Sequence, residues 1–164
     1  MTSESWSSDA GQHILDQLPE DARLILPALQ TLQQEFGYIH GDAVALIAVT
    51  LNVSVAEVHG VLTYYHELRS APPAPIILAV CVAEACQANG SAELVTHLEQ
   101  TVAPLGKRSA DGRVDVVEAF CLGNCALGPA ALVNDRLVGR LTPGTVERVL
   151  ADARDAGARS EAKR

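Results

Sequence analysis

Four cysteines, all between positions 81 and 125 of the 164-residue chain, are the side chains whose type and spacing could do chemistry. They form two pairs: four residues separate Cys81 from Cys86, and three separate Cys121 from Cys125. Thiolate sulfur binds zinc, copper(I) or iron-sulfur clusters in preference to calcium or magnesium. Because structural disulfides are rare in a reducing cytoplasm, the pattern points to metal binding or redox chemistry.

Three kinds of site are open to this pattern. Structural zinc takes thiolates from pairs with two to four intervening residues, most often two, so gaps of four and three fit zinc only loosely. A 2Fe-2S cluster needs two thiolates on each of two irons, and wider loops suit that arrangement. A thiol-disulfide enzyme typically has a gap of two residues, which this chain lacks. The spacing favours the cluster over a zinc module or reactive thiols.

Each cysteine pair follows a predicted strand of one β-α-β unit. Short apolar runs at 76–80 and 114–119 stand on either side of a helical pattern at 91–102. The two strands of such a unit are parallel, so the loops at their carboxyl ends leave the same edge of the sheet. The sequence therefore predicts that the four thiols converge.

The remainder of the second half predicts a hairpin and a final helix. Apolar runs at 130–133 and 137–141 lie on either side of residues 134–136, whose types suit a turn. Thr142 and Pro143 then predict the N-cap and the first turn of a helix. The resulting order, β-α-β-β-α, is that of a thioredoxin-like domain.

Helical patterning fills most of the first half. Apolar residues recur over 25–36 at the spacing of one helix face, and a second short helix fits 42–51. Ser54 and Glu57 form a capping-box signature, which predicts a further helix ending near Leu68. We therefore expect a small all-helical bundle.

The changes in composition predict five segments. Residues 1–12 are a polar, flexible leader, 13–70 the helical bundle, and 71–75 a linker whose prolines cannot continue a helix. Residues 76–152 are the thioredoxin-like domain, and 153–164 a charged tail. The predicted fold class is α+β: an N-terminal helical bundle followed by a thioredoxin-like β-α-β-β-α domain.

Charge and composition narrow the classes of partner. The formal net charge is −8, and residues 1–70 contribute most of it, with nine acidic residues against two arginines. Such a surface repels phosphate backbones, and only 4% of residues are aromatic, so we expect no nucleic-acid binding. No apolar run approaches the roughly 18 residues of a spanning helix, and residues 1–12 lack a targeting signal. We expect a cytoplasmic protein without direct membrane contact.

Side chains outside the cysteine pairs have no predicted role as ligands. The five histidines are scattered without metal spacing. Glu84, the only charge between paired cysteines, is expected to be a solvated carboxylate. Trp6, within the leader, is expected to be disordered or to anchor the chain on a partner surface.

Two stretches, CVAEACQANGSAELVTHLE and DGRVDVVEAFCLGNCALGPAALVNDRLVGRLTP, resemble the thioredoxin-like 2Fe-2S ferredoxin family, whose ligand motif has the same two gaps. The resemblance extends from about Ile14 to Leu150 and includes LPALQTLQQEFGYI and VAEVHGVLTYYHEL in the helical half. It implies an electron-transfer subunit that has no catalytic residues or turnover of its own. The implied ligands of its one 2Fe-2S cluster are Cys81, Cys86, Cys121 and Cys125.

The short loops also predict how the ligands divide. Each loop chelates most easily at a single metal, so we expect Cys81 and Cys86 on one iron and Cys121 and Cys125 on the other.

The family includes the small 2Fe-2S subunits of complex I and of NAD-linked hydrogenases, and the gamma subunit of NAD-dependent, molybdenum-containing formate dehydrogenases. Complex I members usually carry hydroxyl residues and glycine between the first two ligands and an aromatic after the second. Here residues 82–85 are Val-Ala-Glu-Ala, and Gln87 and Ala88 follow Cys86. This departure favours the formate dehydrogenase subunit, with the complex I or hydrogenase subunit as the alternative.

The resemblance to the formate dehydrogenase subunit implies two partners. One is a flavin- and NAD-binding subunit that carries FMN, and the other is a molybdopterin subunit that oxidises formate. Further iron-sulfur clusters would lie in those partners. This chain has no glycine-rich nucleotide fingerprint between a predicted strand and a helix, which agrees with that division.

Overall fold

A computed structural model describes residues 6–161. The chain divides into two compact units, Met1–Pro73 and Ala74–Arg164. The division falls inside the proline-rich segment 71–75, where proline can neither donate a backbone hydrogen bond nor continue a helix. The described part of the first unit is helical and the second unit contains a five-stranded sheet, so the predicted α+β fold class is confirmed.

Helices build the described part of the first unit around one apolar core. Its α-helices are α1 (Ser8–Asp16), α2 (Ile25–Phe36), α3 (Gly41–Leu51) and α4 (Val55–Tyr64), with a 3₁₀ turn at Glu20–Ala22. Gly37 ends α2 because it adopts a left-handed φ of 81°, from which its N–H bonds to the Gln33 carbonyl. The predicted capping box begins α4, where Ser54 and Glu57 each accept the other's backbone N–H.

The bundle differs from its prediction at the end of α4. The helix ends at Tyr64 rather than near Leu68, and Tyr65 is already extended, with φ −90° and ψ 105°. The Tyr64 side chain is 73% exposed. The apolar pattern continues beyond the helix because Leu68, which follows the end of α4, also packs against the core of this unit.

The prediction of a flexible leader over 1–12 is wrong for its second half, while residues 1–5 lie outside the described part. Helix α1 begins at Ser8 because the Ser7 side chain accepts the Ala10 N–H. Trp6 packs on the bundle: its ring stacks on His40 at a centroid distance of 5.4 Å and meets Phe36 edge-on at 5.1 Å. Trp6 thus finds its surface within its own unit.

The second unit carries the sheet, whose strand order is β2-β3-β1-β4-β5. The strands are β1 (Ile76–Cys81), β2 (Lys107–Arg108), β3 (Val114–Ala119), β4 (Ala131–Val133) and β5 (Arg136–Val138). The helices are α5 (Glu84–Ala88), α6 (Ser91–Thr101) and α7 (Pro143–Glu161), and a 3₁₀ turn spans Cys125–Leu127. Strand β1 is parallel to β3 and antiparallel to β4, and the β2–β3 and β4–β5 pairs are antiparallel.

Apart from the short elements β2 and α5, the observed order is β-α-β-β-β-α, one strand more than the predicted β-α-β-β-α, because the hairpin supplies two strands, β4 and β5. Strand β2 is not predicted because it has only two residues. A bidentate ion pair between Arg108 and its cross-strand neighbour Asp115 holds it against β3. Helix α5 has only five residues and no side-chain cap. Both are too short to show a periodic pattern.

The hairpin and the final helix follow from local chemistry. Val133 pairs with Arg136, so the turn contains two residues rather than the predicted three, and Asn134 takes a left-handed φ of 53°. Thr142 caps α7, since its Oγ1 accepts the Thr145 N–H at 3.3 Å. Helix α7 continues to Glu161 through most of the predicted tail 153–164.

The core of the second unit lies between the sheet and helices α6 and α7. Leu78, Val114 and Val116 from the two central strands are completely buried there, with Leu98 of α6 and Leu150 of α7. Burial alternates along β1 and β3, so one face of each strand packs in this core and fixes the strands that carry the loops at their ends. Among residues 6–161, no helix combines the length and apolar character needed to cross a bilayer.

Candidate metal centre

The parallel pairing of β1 and β3 brings the two cysteine loops to one edge of the sheet. Cys81, the last residue of β1, is in register with Ala119, the last residue of β3. The loop that carries Cys121 and Cys125 starts immediately after Ala119, beside Cys81. The predicted convergence of the loops at their strand ends is therefore confirmed.

Cys81 is held by its main chain on both sides. Its N–H donates to the Ala130 carbonyl at 2.9 Å, and its carbonyl accepts the buried Ser91 hydroxyl at 2.6 Å. The residue is 2% exposed. Burial raises the pKa of its thiol, but hydrogen bonds from the Ala83 backbone, the Cys86 side chain and the Leu122 backbone outweigh burial and lower that pKa.

Cys86 is the second buried thiol, carried by α5 and 1% exposed. Burial, the hydrogen bond with Cys81 and repulsion from the Cys81 and Cys125 thiolates raise its pKa, although a hydrogen bond from the Ala130 backbone opposes them. Cys86 therefore interacts electrostatically with one thiol from each loop.

Cys121 and Cys125 are exposed, in contrast to the first pair. Gly123, in a left-handed conformation with φ 68°, donates its N–H to the Cys121 sulfur at 3.5 Å. Cys125 opens the 3₁₀ turn, and its carbonyl accepts the Gly128 N–H at 3.2 Å. The glycine at position 123 thus lets a backbone amide reach a cysteine sulfur.

The connection between β5 and α7 holds the second loop in place. Arg140 donates its N–H to the Leu127 carbonyl at 2.6 Å, and Leu141 donates to the Pro129 carbonyl at 3.0 Å. On the other side of the loop, a Cβ at Gly128 would lie 3.3 Å from the Cys86 sulfur. The loop is therefore wedged between this connection and the buried cysteine pair.

The number and grouping of the cysteine thiols indicate which metal centre these residues could hold. Four thiols divide into a buried pair and an exposed pair, and backbone N–H groups point at Cys81 and Cys121. Within residues 6–161, no three Cys, His, Asp or Glu side chains gather around one point that could hold a single ion. Four thiols in two pairs match the ligand set of a binuclear cluster, which takes two thiolates on each iron.

Three positions around the site were missed by reasoning from the sequence. Ser91 was interpreted only as the start of a helix, yet its hydroxyl holds the Cys81 carbonyl. Ala130 donates its backbone to Cys86 and accepts from Cys81, which no side chain signals. Gly139 lies against the Leu127 carbonyl. Only its glycine identity hinted at a close approach.

Comparison with protein families agrees with this geometry. The family model described as thioredoxin-like [2Fe-2S] ferredoxin matches residues 11–154, which include both units and all four cysteines.

Individual relatives are similar over most of their length. The NADP-reducing hydrogenase subunit HndA of Solidesulfovibrio fructosivorans is 31% identical over 140 residues, covering 84% of this chain and 81% of the relative. NADH-quinone oxidoreductase subunit 2 of Thermus thermophilus is 35% identical over 147 residues, covering 87% and 80%.

A crystal structure of an NAD+-reducing [NiFe]-hydrogenase in the air-oxidized state shares the fold. Its TM-score is 0.66 at 24% identity, and the match covers 85% of this chain. This chain spans only 24% of that hydrogenase chain.

Proposed function

This chain belongs to the thioredoxin-like [2Fe-2S] ferredoxin family, and on that premise we propose that it is an electron-transfer subunit of an NAD-linked oxidoreductase. Its cofactor is one 2Fe-2S cluster, which when bound accepts or releases one electron at a time. The proposed ligands are Cys81, Cys86, Cys121 and Cys125. The observation that carries this proposal is the meeting of both cysteine loops at the ends of the parallel strands β1 and β3.

The residues around the proposed ligands stabilise thiolates and limit contact with water. Cys81 and Cys86 are buried with Ala130, and Ala83 and Leu122 pack against them. The backbone N–H groups of Ala83 and Leu122, which carry no formal charge, supply two of the hydrogen bonds to Cys81. Such donors favour the negative form of sulfur and tune the potential of a thiolate-bound group.

The other pair marks the side from which electrons would enter or leave. Cys121 and Cys125 are exposed, and the neighbouring Phe120 side chain is 72% exposed. An exposed aromatic beside exposed ligands suits contact with another subunit, because aromatic side chains are enriched at interfaces. We propose that a flavin- and NAD-binding subunit covers this side and exchanges electrons with the cluster there.

The proposed parent complex is an NAD-dependent formate dehydrogenase, with a molybdopterin subunit that oxidises formate. Its support is the composition of the first loop, with Val-Ala-Glu-Ala between Cys81 and Cys86 and Gln87-Ala88 after the second cysteine. The equivalent subunit of a hydrogenase or of complex I is the second candidate. The names of the relatives favour this second candidate, since those relatives are subunits of an NADP-reducing hydrogenase and of NADH-quinone oxidoreductases.

The cluster assignment is tested on the full chain purified without oxygen. Iron and acid-labile sulfide are measured, and electron paramagnetic resonance spectra are recorded before and after reduction. We expect two irons per chain and a signal that appears on reduction. Zinc in place of iron after attempted reconstitution would support the remaining alternative, a structural zinc module.

Ligand identity is tested by single Cys→Ser variants at the four positions, with Ala126→Ser as the control. Ala126 is exposed and lies in the same loop, so its variant adds a hydroxyl without removing a thiol. Each Cys→Ser variant should lose the cluster or change its spectrum, and Ala126→Ser should change neither. A wild-type spectrum in Cys121→Ser or Cys125→Ser would refute the ligand set.

The parent complex is tested on the native assembly, purified intact from its source. Formate-dependent NAD reduction together with bound molybdenum is the expected result. Hydrogen-dependent reduction with bound nickel, or quinone-dependent oxidation of NADH with neither metal, would replace formate dehydrogenase by one of the alternatives. None of these outcomes alters the cluster assignment.

A further inference from the structure

The second unit has a cleft at the opposite end of the sheet from the cysteines. The cleft has a volume of about 330 Å³ and lies between the start of β1, the β4–β5 turn and the end of α7. Ile76, the first residue of β1, lines it, whereas Cys81 is the last residue of that strand. The cleft is therefore separate from the proposed metal centre.

Three arginines from different elements line this cleft. Arg113 precedes β3, Arg136 begins β5, and Arg154 lies on α7. The ion pairs of the described residues include neither Arg113 nor Arg136. In a chain of formal net charge −8, this concentration of positive charge is unusual.

Arg154 gives a second, independent observation. Its Nη2 reaches Asp111 at 3.4 Å, but its Nε is buried and has no hydrogen-bond partner among the side chains that the structure describes. A buried N–H that lacks an acceptor is destabilising, and native structures contain few such groups. An acceptor oxygen supplied by a ligand would satisfy it.

The rest of the lining limits the size and type of ligand. Ile76, Val133 and Ala153 are apolar, and Asp152 is the one carboxylate among the lining residues. A volume of about 330 Å³ is at the small end of the range for ligand sites. The cleft thus suits a compact molecule with an anionic group and a less polar body.

We infer that this cleft binds a small organic anion whose carboxylate or phosphate group contacts Arg113, Arg136 and Arg154. The planar guanidinium fork matches the oxygens of both groups and binds them through charge-assisted hydrogen bonds. Asp152 disfavours a ligand that is negative throughout and can accept a hydrogen bond from a hydroxyl or amine on its body. The inference does not depend on the proposed electron-transfer function, because it uses none of the cysteines.

The test titrates the full-length, cluster-loaded protein with two probes, inorganic phosphate and butyrate, a monocarboxylate with an apolar body. Binding is measured by calorimetry at physiological ionic strength, and arginine Nε–Hε resonances are followed by nuclear magnetic resonance. We expect saturable binding that shifts the Arg154 Nε–Hε resonance. A response to phosphate alone identifies a phosphate-bearing ligand, and a response to butyrate identifies a carboxylate.

Charge-matched variants separate specific contact from long-range attraction. Arg136→Gln removes a lining guanidinium from an exposed position, and Arg148→Gln makes the same charge change on α7 outside the cleft. Arg136→Gln should weaken binding of the probe about tenfold, because it removes one charge-assisted hydrogen bond. Arg148→Gln should change the affinity less than twofold. Arg113→Gln provides the same comparison should Arg136→Gln fail to fold.

Two results would overturn the inference. One is the absence of saturable binding of either probe to the wild-type protein. The other is an equal loss of affinity in Arg136→Gln and Arg148→Gln, which would show that binding depends only on the overall charge of the surface.

Discussion

Gly139 lies directly against the backbone carbonyl of Leu127. A Cβ at position 139 would be 2.6 Å from the Leu127 oxygen and 2.8 Å from the Asn124 Nδ2. The next residue, Arg140, donates its N–H to the same carbonyl at 2.6 Å. The loop that carries Cys125 is therefore held by main-chain contact with the β5–α7 connection, and only glycine permits that approach.

Gly139→Ala should loosen the candidate metal centre. The added methyl group overlaps the Leu127 carbonyl, so the loop must shift, at a cost of about 1–3 kcal/mol in the free energy of unfolding. We expect faster loss of the cluster to an iron chelator, followed by visible absorption. Gly144→Ala is the matched control, since a Cβ there meets nothing within 4 Å. Equal rates of cluster loss in the two variants would contradict this account of the loop.

Ser91→Ala should destabilise the unit through the backbone of Cys81. The Ser91 hydroxyl donates to the Cys81 carbonyl at 2.6 Å, and Ser91 is 1% exposed. Loss of this buried hydrogen bond should lower the free energy of unfolding by about 1–3 kcal/mol in urea denaturation.

The control for Ser91→Ala is Thr96→Ala on the same helix. Thr96 is exposed, and its hydroxyl bonds only within α6, to the Ala92 carbonyl at 3.0 Å. Its replacement should change stability by less than about 0.5 kcal/mol. Similar losses in the free energy of unfolding of both variants would show that the hydrogen bond to Cys81 stabilises the unit no more than one within the helix.

Ser54→Ala should alter the response of the helical unit to acid. Hydrogen bonds from the Ser54 side chain and backbone lower the pKa of Glu57 below its ordinary value of 4.5. A carboxyl group whose pKa is lowered by folding stabilises the folded state above that ordinary value. The contribution is lost as pH falls towards the folded-state pKa. Removal of the hydroxyl should raise the Glu57 pKa and make the acid-side loss shallower.

Carboxyl carbon resonances measure that pKa, and urea denaturation at several pH values measures the slope of stability. Ser7→Ala is the control, because Ser7 caps α1 by accepting from Ala10, which has no carboxylate. Both variants lose an N-cap, but only Ser54→Ala should move the Glu57 titration. An unchanged Glu57 pKa in Ser54→Ala would contradict the prediction.

Phe120→Ala should separate stability from electron transfer. The side chain is 72% exposed beside Cys121, so its loss should change the free energy of unfolding by less than about 0.5 kcal/mol. If a partner covers this side, as proposed, electron transfer in the native assembly should slow severalfold. Leu137→Ala, which removes a 47% exposed apolar side chain from β5, should leave the rate unchanged. An unaltered electron-transfer rate in Phe120→Ala would mean that the partner contacts a different surface.

Local patterns predicted much of the fold because they depend on neighbours in sequence. The Ser54–Glu57 capping box and the cap at Thr142 each act within one turn of helix. The order of strands and helices follows from the same short-range periodicity. Short elements were not predicted. The two residues of β2 are too few to show a periodic pattern, and the Arg108–Asp115 ion pair that holds this strand forms only in the folded unit.

Trp6 shows why the ends of elements were predicted less well. A lone aromatic in a polar segment has no local partner, so its sequence neighbours indicated a flexible leader. In the folded unit it stacks on His40, which lies far along the chain. Whether such a side chain is buried depends on contacts between distant residues, which no local pattern records.

By itself, the sequence determined the identity of the four thiols, their two gaps and their position after two strands of a β-α-β unit. That information is local, and the parallel geometry of the unit makes the two loops neighbours. Only the tertiary structure decided that Cys81 and Cys86 are buried while Cys121 and Cys125 are exposed. It also decided that Gly139 holds the Cys125 loop. Burial and close approach arise from packing between segments that are distant along the chain.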